Sequence, residues 1–234
     1  HEGTRNTVLK IKELGSNVAP HLSFGGSTEQ DIVAMLHAYR DAGIDRLVAL
    51  RGDIPSGMGI ASQYRYANEL IEFIRRETGD HFHIDVACYP EIHPQASSYD
   101  ADIAYFKQKV EAGASSAITQ YFYNPDAYFY FVQSCEKAGI NIPIVPGIMP
   151  IVNYAKLARF SANCGAEIPR WLQQRLEGFG DDSAGVREFG IEVVTSLCRK
   201  LLEGGAPGLH FYSMNQHASV KTIWQNLNLS PGKN

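Results

Sequence analysis

Cysteine is scarce and never closely paired. The four are Cys88, Cys135, Cys164 and Cys198, and no Cys-x-x-Cys occurs. That spacing argues against a zinc ribbon or a disulfide framework and makes a reducing cytoplasm the expected compartment. No apolar run approaches the roughly 20 residues that cross a bilayer. The first residues lack the charged-then-apolar pattern of a secretory signal. There is no block of lysine and arginine. The chain has 21 basic and 25 acidic residues, a net charge of −4, so neither nucleic acid nor membrane is an expected partner. No Gly-x-Gly-x-x-Gly follows the first apolar strand, so the dinucleotide fingerprint is absent too.

What is present is ordinary globular material: 234 residues, 44% hydrophobic and 20% charged. One large domain over 1–234 is the simplest organisation, since single βα barrels run to about 250 residues. One punctuation mark recurs. An amphipathic segment ends in glycine and an apolar strand follows, at Gly15, Gly43, Gly79, Gly113, Gly139 and Gly204-Gly205. Glycine just past a helix is the common stop, because it takes a left-handed conformation without a Cβ clash. Ser27 with Gln30 reads as a capping box before Ile32, Met35, Leu36 and Tyr39, which share one helical face. The strands are nearly continuous apolar runs, such as Leu47 to Leu50, Ile84 to Ala87 and Ile142 to Val145. Such runs suit parallel strands covered on both faces. The longer gap from Gly139 to Gly204 is expected to hold two helices, around Trp171 and Val193.

The alternation predicts an α/β fold with six strands. A doubly wound sheet and an eight-stranded barrel both satisfy it. In barrels the reactive groups gather where strands finish. Here the ends carry His21; Arg51, Gly52 and Asp53; Tyr89, Glu91 and His93; Thr119, Gln120 and Tyr121; and His210, Tyr212 and Asn215. The fifth end, Gly147 to Pro150, is apolar. Taken singly, His21 and His210 read as core histidines satisfied by backbone, and Glu91 with His93 as a surface pair. His81 and His83 have metal-pair spacing but open a strand on the opposite rim. The aromatics from Tyr121 to Phe131 read mostly as packing. An adhesive use of Arg51-Gly52-Asp53 needs an exposed mobile loop, against the core strand that precedes it. Asp53 and Gln120 stand out, since a carboxylate and an amide at inward strand ends are poor core material.

These same residues carry a resemblance. LVALRGDIPSG, YPEIHPQA with Asp102 and Lys109 downstream, AGASSAITQYFYN, PIVPGIMPI and HFYSMNQ, in that order, resemble the methylenetetrahydrofolate reductases of the bacterial type. The match covers nearly the whole chain. It implies a (βα)8 barrel that binds FAD and works by ping-pong. NADH or NADPH reduces the flavin and leaves, and 5,10-methylenetetrahydrofolate then takes the hydride. Carried over by position, the flavin contacts fall on His21, Arg51, Gly52, Asp53, Tyr66, Ala67, Tyr89, His93, Ala96, Asp102 and Lys109. Arg51, His93 and Lys109 suit a pyrophosphate. Asp53 suits the cation that develops on the folate. Gln120 suits a pterin edge or a nicotinamide amide, and Phe160 matches the aromatic that stacks on the bound substrate. A homo-oligomer is expected by the same resemblance.

Two departures accompany it. The family's proton-donating glutamate and a flavin-contacting threonine fall before His1. Six strands do not close an eight-stranded barrel, so two more strands are expected upstream, removing open edges that invite aggregation. The family often has arginine, facing the folate glutamate tail, where this chain has Gln216. Lys156 or Arg159 would then have to serve. Two other readings remain at this point. One is a catalytically silent flavin barrel with a binding or regulatory role. The other is a barrel lyase, against which counts the lack of a lysine at any strand end.

Overall fold

A computed structural model describes residues 2–25, 27–51 and 66–229. The chain divides into two compact units, His1–Ala87 with Ala104–Ala117, and Cys88–Ile103 with Ile118–Asn234.

The first unit begins with α1 (Glu2–Glu13), β1 (His21–Leu22), α2 (Glu29–Asp41), β2 (Arg46–Ala49) and α3 (Ala67–Thr78). It also holds most of β3 (His83–Cys88), the later turns of α4 (Tyr99–Glu111) and the start of β4 (Ser116–Thr119). The strands run parallel, with Leu22 opposite Ala49 and Ala49 opposite Val86. Ile32, Leu36 and Tyr39 of α2 are fully buried, as are Leu70, Ile71 and Ile74 of α3. Each such aliphatic side chain contributes roughly 1.5–3 kcal/mol on leaving water. The expected strand from Val18 to Phe24 is paired only over His21–Leu22. The capping box also falls one residue later than expected. Thr28 caps α2 with Asp31: Asp31 N–H donates to Thr28 Oγ1 (3.2 Å) and Thr28 N–H to Asp31 Oδ2 (2.9 Å). Ser27 N–H is already committed to Phe24 O, so the turn before the helix fixes which residue can cap.

Where β2, β3 and β4 begin, a buried carboxylate interrupts the apolar run. Asp85 accepts from Arg46 Nε (2.6 Å) and Nη2 (3.1 Å), and from Ser116 Oγ. His83 Nε2 lies 2.8 Å from Ser116 Oγ, and His81 Nε2 lies 3.1 Å from Ile44 O. Burial pushes the Asp85 carboxyl up, yet its bonds to Arg46 and Ser116 and the Arg46 charge hold it below the ordinary range.

The second unit holds the start of α4, the end of β4, and α5 (Pro125–Lys137). It continues with β5 (Ile144–Val145), β6 (Gly147–Ile148), α6 (Tyr154–Cys164), α7 (Arg170–Glu177), α8 (Ser183–Glu203), β7 (His210–Phe211) and α9 (His217–Asn226). β1 to β5 form one sheet in that order, and β6 pairs with β7 in parallel. The single fifth strand expected from the sequence is thus two short segments. Pro146 separates them, because it has no N–H to give to a ladder. The last expected strand, Leu209 to Tyr212, pairs over His210–Phe211. The gap before Gly204 holds three helices rather than two. α7 and α8 stand where they were expected, and α6 was not foreseen.

Candidate functional site

In the first unit, His21 opens β1 and pairs in register with Val48. Arg51 is exposed just beyond β2, whose exit is pinned by Leu50 N–H to Leu22 O at 2.9 Å. Gly52 and Asp53 lie outside the described residues. Tyr66, 60% exposed, precedes Ala67 at the start of α3, and its N–H donates to Glu69 Oε2 (2.8 Å). Lys109 Nζ in the last turn of α4 donates a hydrogen bond to Ala87 O at 2.5 Å, with its ammonium 5.6 Å above the Phe106 ring.

In the second unit the loop after β3 is tightly tied. His93 N–H donates to Asp102 Oδ2 (2.8 Å), Gln95 N–H to His93 Nδ1 (3.0 Å), and Ala96 N–H to His93 O (2.9 Å). The Tyr89 ring meets the His93 imidazole edge-on at 4.4 Å. Ile92 has φ +130°, a conformation that costs a β-branched residue on the order of 1–3 kcal/mol. Asp102 therefore acts here as an anchor for the backbone of this loop.

Gln120 sits beside that loop's origin, since its N–H donates to Cys88 O at 2.8 Å. Its side-chain oxygen accepts from Tyr121 N–H (3.0 Å), which orients the carboxamide and leaves donation to its NH2 group. Tyr121 is buried. Its hydroxyl and Ser161 Oγ are 2.7 Å apart, and Cys164 Sγ donates to it at 3.4 Å. Burial raises its pKa, so the phenol stays neutral. Phe160 lies over Tyr121, with centroids 6.0 Å apart and planes at 23°. It is 43% exposed, an aromatic face backed by a fixed ring.

Thr119 stitches the neighbouring strand ends. Gly147 N–H donates to Thr119 Oγ1 (2.8 Å), and Tyr212 Oη to Thr119 O (2.9 Å). A Cβ at Gly147 would stand 2.1 Å from Thr119 O and 2.6 Å from the Tyr212 ring, so only glycine fits there.

Lys156 and Gln216 share a cavity of about 460 Å³ with Asn153, Arg187, Asn215 and His217. Among the described residues, no acidic side chain lines it. Arg159, the alternative cation, is not on its wall. Arg187 comes from the long helix α8 and was not foreseen, because nothing in its local sequence sets it apart from a solvated helical arginine. Glu91, expected at a strand end as a surface pair with His93, bonds instead to the segment after α6. Its Oε2 accepts from Glu167 N–H at 2.8 Å. Burial pushes its carboxyl up, the Glu167 N–H pulls it down and the Glu167 charge adds to the rise; the result is about 7.

Parallel strands alternating with helices, and hydrogen-bonding groups at the strand ends, define an α/β protein of the TIM-barrel kind. The chain belongs to the methylenetetrahydrofolate reductase family, whose model matches residues 2–228. It is 35% identical to the 5,10-methylenetetrahydrofolate reductase of Escherichia coli over 98% of this chain and 76% of that one. It is 39% identical to methylenetetrahydrofolate reductase (NADH) 1 of Arabidopsis thaliana over 89% of this chain, spanning only 38% of the plant protein. A Clostridium thermocellum protein described as binding two copies of 5-methyl-5,6,7,8-tetrahydrofolic acid has a similar fold. That match has a TM-score of 0.53 at 17% identity, over 94% of this chain and 97% of that one.

Proposed function

We propose that this chain is the flavin-dependent catalytic barrel, one domain over 1–234, that reduces 5,10-methylenetetrahydrofolate to 5-methyltetrahydrofolate with NADH or NADPH. The observation that carries the reading is the exposed Phe160 face on Tyr121, in the same unit as the oriented Gln120 amide, within a chain of this family. A planar ring with a donor nearby suits both a pterin and a nicotinamide. Two substrates that need the same surface must use it in turn, which fits ping-pong order.

The residues present fit FAD by the chemistry of their donors. Arg51 and Lys109 supply cations for a pyrophosphate, and His93, whose Nδ1 accepts from Gln95 N–H, has its Nε2 left to donate. Tyr89 supplies an aromatic surface, and the tied turn from His93 to Ala96 gives a rigid backbone edge. His21, Gly52, Tyr66, Ala67 and Asp102 complete the proposed contacts. Bound FAD would supply reversible two-electron chemistry. Asp53 stabilises positive charge developing on the folate. Gln120 donates to the substrate ring and Phe160 stacks on it. Lys156, Gln216 and Arg187 take the glutamate tail. Arg187 thereby supplies a charge that Gln216 lacks.

An anaerobic titration of the purified protein tests this. NADH should bleach the flavin absorbance, and methylenetetrahydrofolate should restore it in stoichiometric amount. Protein that carries flavin yet is bleached by neither NADH nor NADPH would overturn the reading.

A further inference from the structure

We propose that Glu91 is a positioning residue: by accepting the Glu167 N–H it clamps the segment after α6 to the loop after β3, and it loosens that clamp when it ionises. The functional consequence rests on the folate-reductase reading above; the clamp itself does not.

Two independent contacts join the same two pieces of chain. One is the 2.8 Å hydrogen bond from Glu167 N–H to Glu91 Oε2. The other is at Gly165, which ends α6 with φ +74°. A Cβ at Gly165 would stand 2.8 Å from Pro94 Cγ, so the two segments approach as closely as glycine allows. Glu91 and Pro94 flank Ile92 and His93, and the positive φ of Ile92 shows that the loop is held against its own backbone preference. On the other side, α6 carries Lys156, Phe160 and Ser161, and Ser161 holds the Tyr121 hydroxyl. The clamp therefore ties the His93 loop to the helix that presents the stacking ring.

The carboxyl is suited to respond near neutrality. A charged carboxylate accepts an N–H more strongly than a neutral one, but this single bond offsets only part of the cost of charging a buried carboxyl, so ionisation favours an opened clamp in which water reaches it. The charged groups facing Glu91 are the Glu167 carboxylate, which opposes its ionisation, and the Tyr121 phenol, which stays neutral. Burial and that like charge place its midpoint at about 7. As pH rises through this value the carboxyl becomes charged and the two segments part enough for water to reach it.

Hydrogen exchange at the Glu167 amide, on the full-length flavin-loaded protein from pH 6 to 8, reads the clamp directly. The protection factor should fall several-fold across neutrality in the wild type. It should be flat in Glu91→Gln, which keeps the shape and an acceptor. In Glu167→Gln, which keeps the N–H and removes the like charge, the midpoint should move to lower pH. The KM for methylenetetrahydrofolate should rise several-fold over the same range in the wild type only, with kcat changing less. Protection in Glu91→Gln that follows the wild type at every pH overturns the proposal. So does an unmoved midpoint in Glu167→Gln, which a purely structural role would produce. PH-dependent protection without folate turnover would instead overturn the folate-reductase reading and leave the clamp standing.

Discussion

Asp85 and Glu91 are carboxylates six residues apart, yet their environments push them in opposite directions. Asp85 is the more buried, at 2% exposure, and still titrates below the ordinary range, whereas Glu91 is pushed up to about 7. Burial opposes the charged form in both. The difference is in partners. Asp85 has a two-pronged guanidinium and a hydroxyl; Glu91 has one backbone N–H and a like charge. The first arrangement is closed and satisfied, the mark of a group kept for the fold. The second leaves a group poised, on a loop with a strained residue, the pattern expected near a working site. The Asp85 cluster holds structure where strands begin in the first unit; Glu91, after a strand end in the second, keeps a carboxyl that can change its charge near neutrality.

Breaking the closed cluster should give the largest effect on stability. Arg46→Met leaves the Asp85 carboxylate buried without its cation, at a cost of about 3 kcal/mol. Asp85→Asn should cost less, because Arg46 is half exposed and water can take over its charge. Urea unfolding of both variants checks the order. A larger loss for Asp85→Asn would mean that the pair does not hold this rim as described.

The strand ends should behave in the opposite way, losing chemistry before stability. Asp53→Asn should slow flavin reoxidation by methylenetetrahydrofolate by roughly 10²-fold, the scale of one lost electrostatic stabiliser. Reduction by NADH should change much less, because the charge matters where positive charge develops. Gln120→Glu exchanges the NH2 donor for an acceptor and should impair both half-reactions, folate binding most. Rapid-mixing measurements of each half-reaction separate the two. Equal losses for Asp53→Asn in both halves would remove its assigned role.

Legibility in the sequence follows the range of the forces involved. Helix stops were readable at Gly15, Gly43, Gly79, Gly113 and Gly139, all with positive φ, because a C-terminal stop is a local event. The final stop needed the pair Gly204-Gly205, and only Gly205 has positive φ. α6 escaped notice because it begins without a glycine boundary, directly after the Pro150 turn. Its Asn153 cap, which accepts from Lys156 N–H, could have revealed it. Gln120, His93 and Phe160 were legible as residue types at strand ends or in family motifs. Arg187 and Glu167 were not, because each reaches its neighbours only through the tertiary placement of α8 and of the segment after α6.

Arg187 offers a sharper test of the cavity it shares with Lys156. If it supplies the missing tail charge, Arg187→Gln should raise the KM for methylenetetrahydrofolate about tenfold, on the scale of one charge-assisted hydrogen bond. The NADH half-reaction should be unaffected. Restoring an arginine with Gln216→Arg in that background should recover most of the loss. A variant with unchanged folate affinity would show that the tail runs elsewhere.

The smallest expected effect is on the pH dependence of stability, and there the two carboxylates should part company. Asp85 has a lowered folded-state pKa. Its contribution is present above the unfolded value near 3.8 and is lost as pH falls through the folded one. Asp85→Asn should therefore be penalised at pH 7 and progressively less so under acid conditions. Glu91 has a raised folded-state pKa of about 7 against an ordinary 4.5. Between those values the folded protein binds more protons than the unfolded chain, so stability falls as pH rises. Glu91→Gln should melt with the wild type at pH 4.5 and above it at pH 8. The carboxyl is partly exposed and screened, so the gain should be modest, about 2 °C for a chain of this size. Thermal melts of the two variants should diverge from wild type at the higher pH and in opposite directions, Asp85→Asn below it and Glu91→Gln above it. A Glu91→Gln difference that does not change with pH would mean that the Glu91 carboxyl titrates alike in the folded and unfolded chain, and that the contrast with Asp85 is one of position alone.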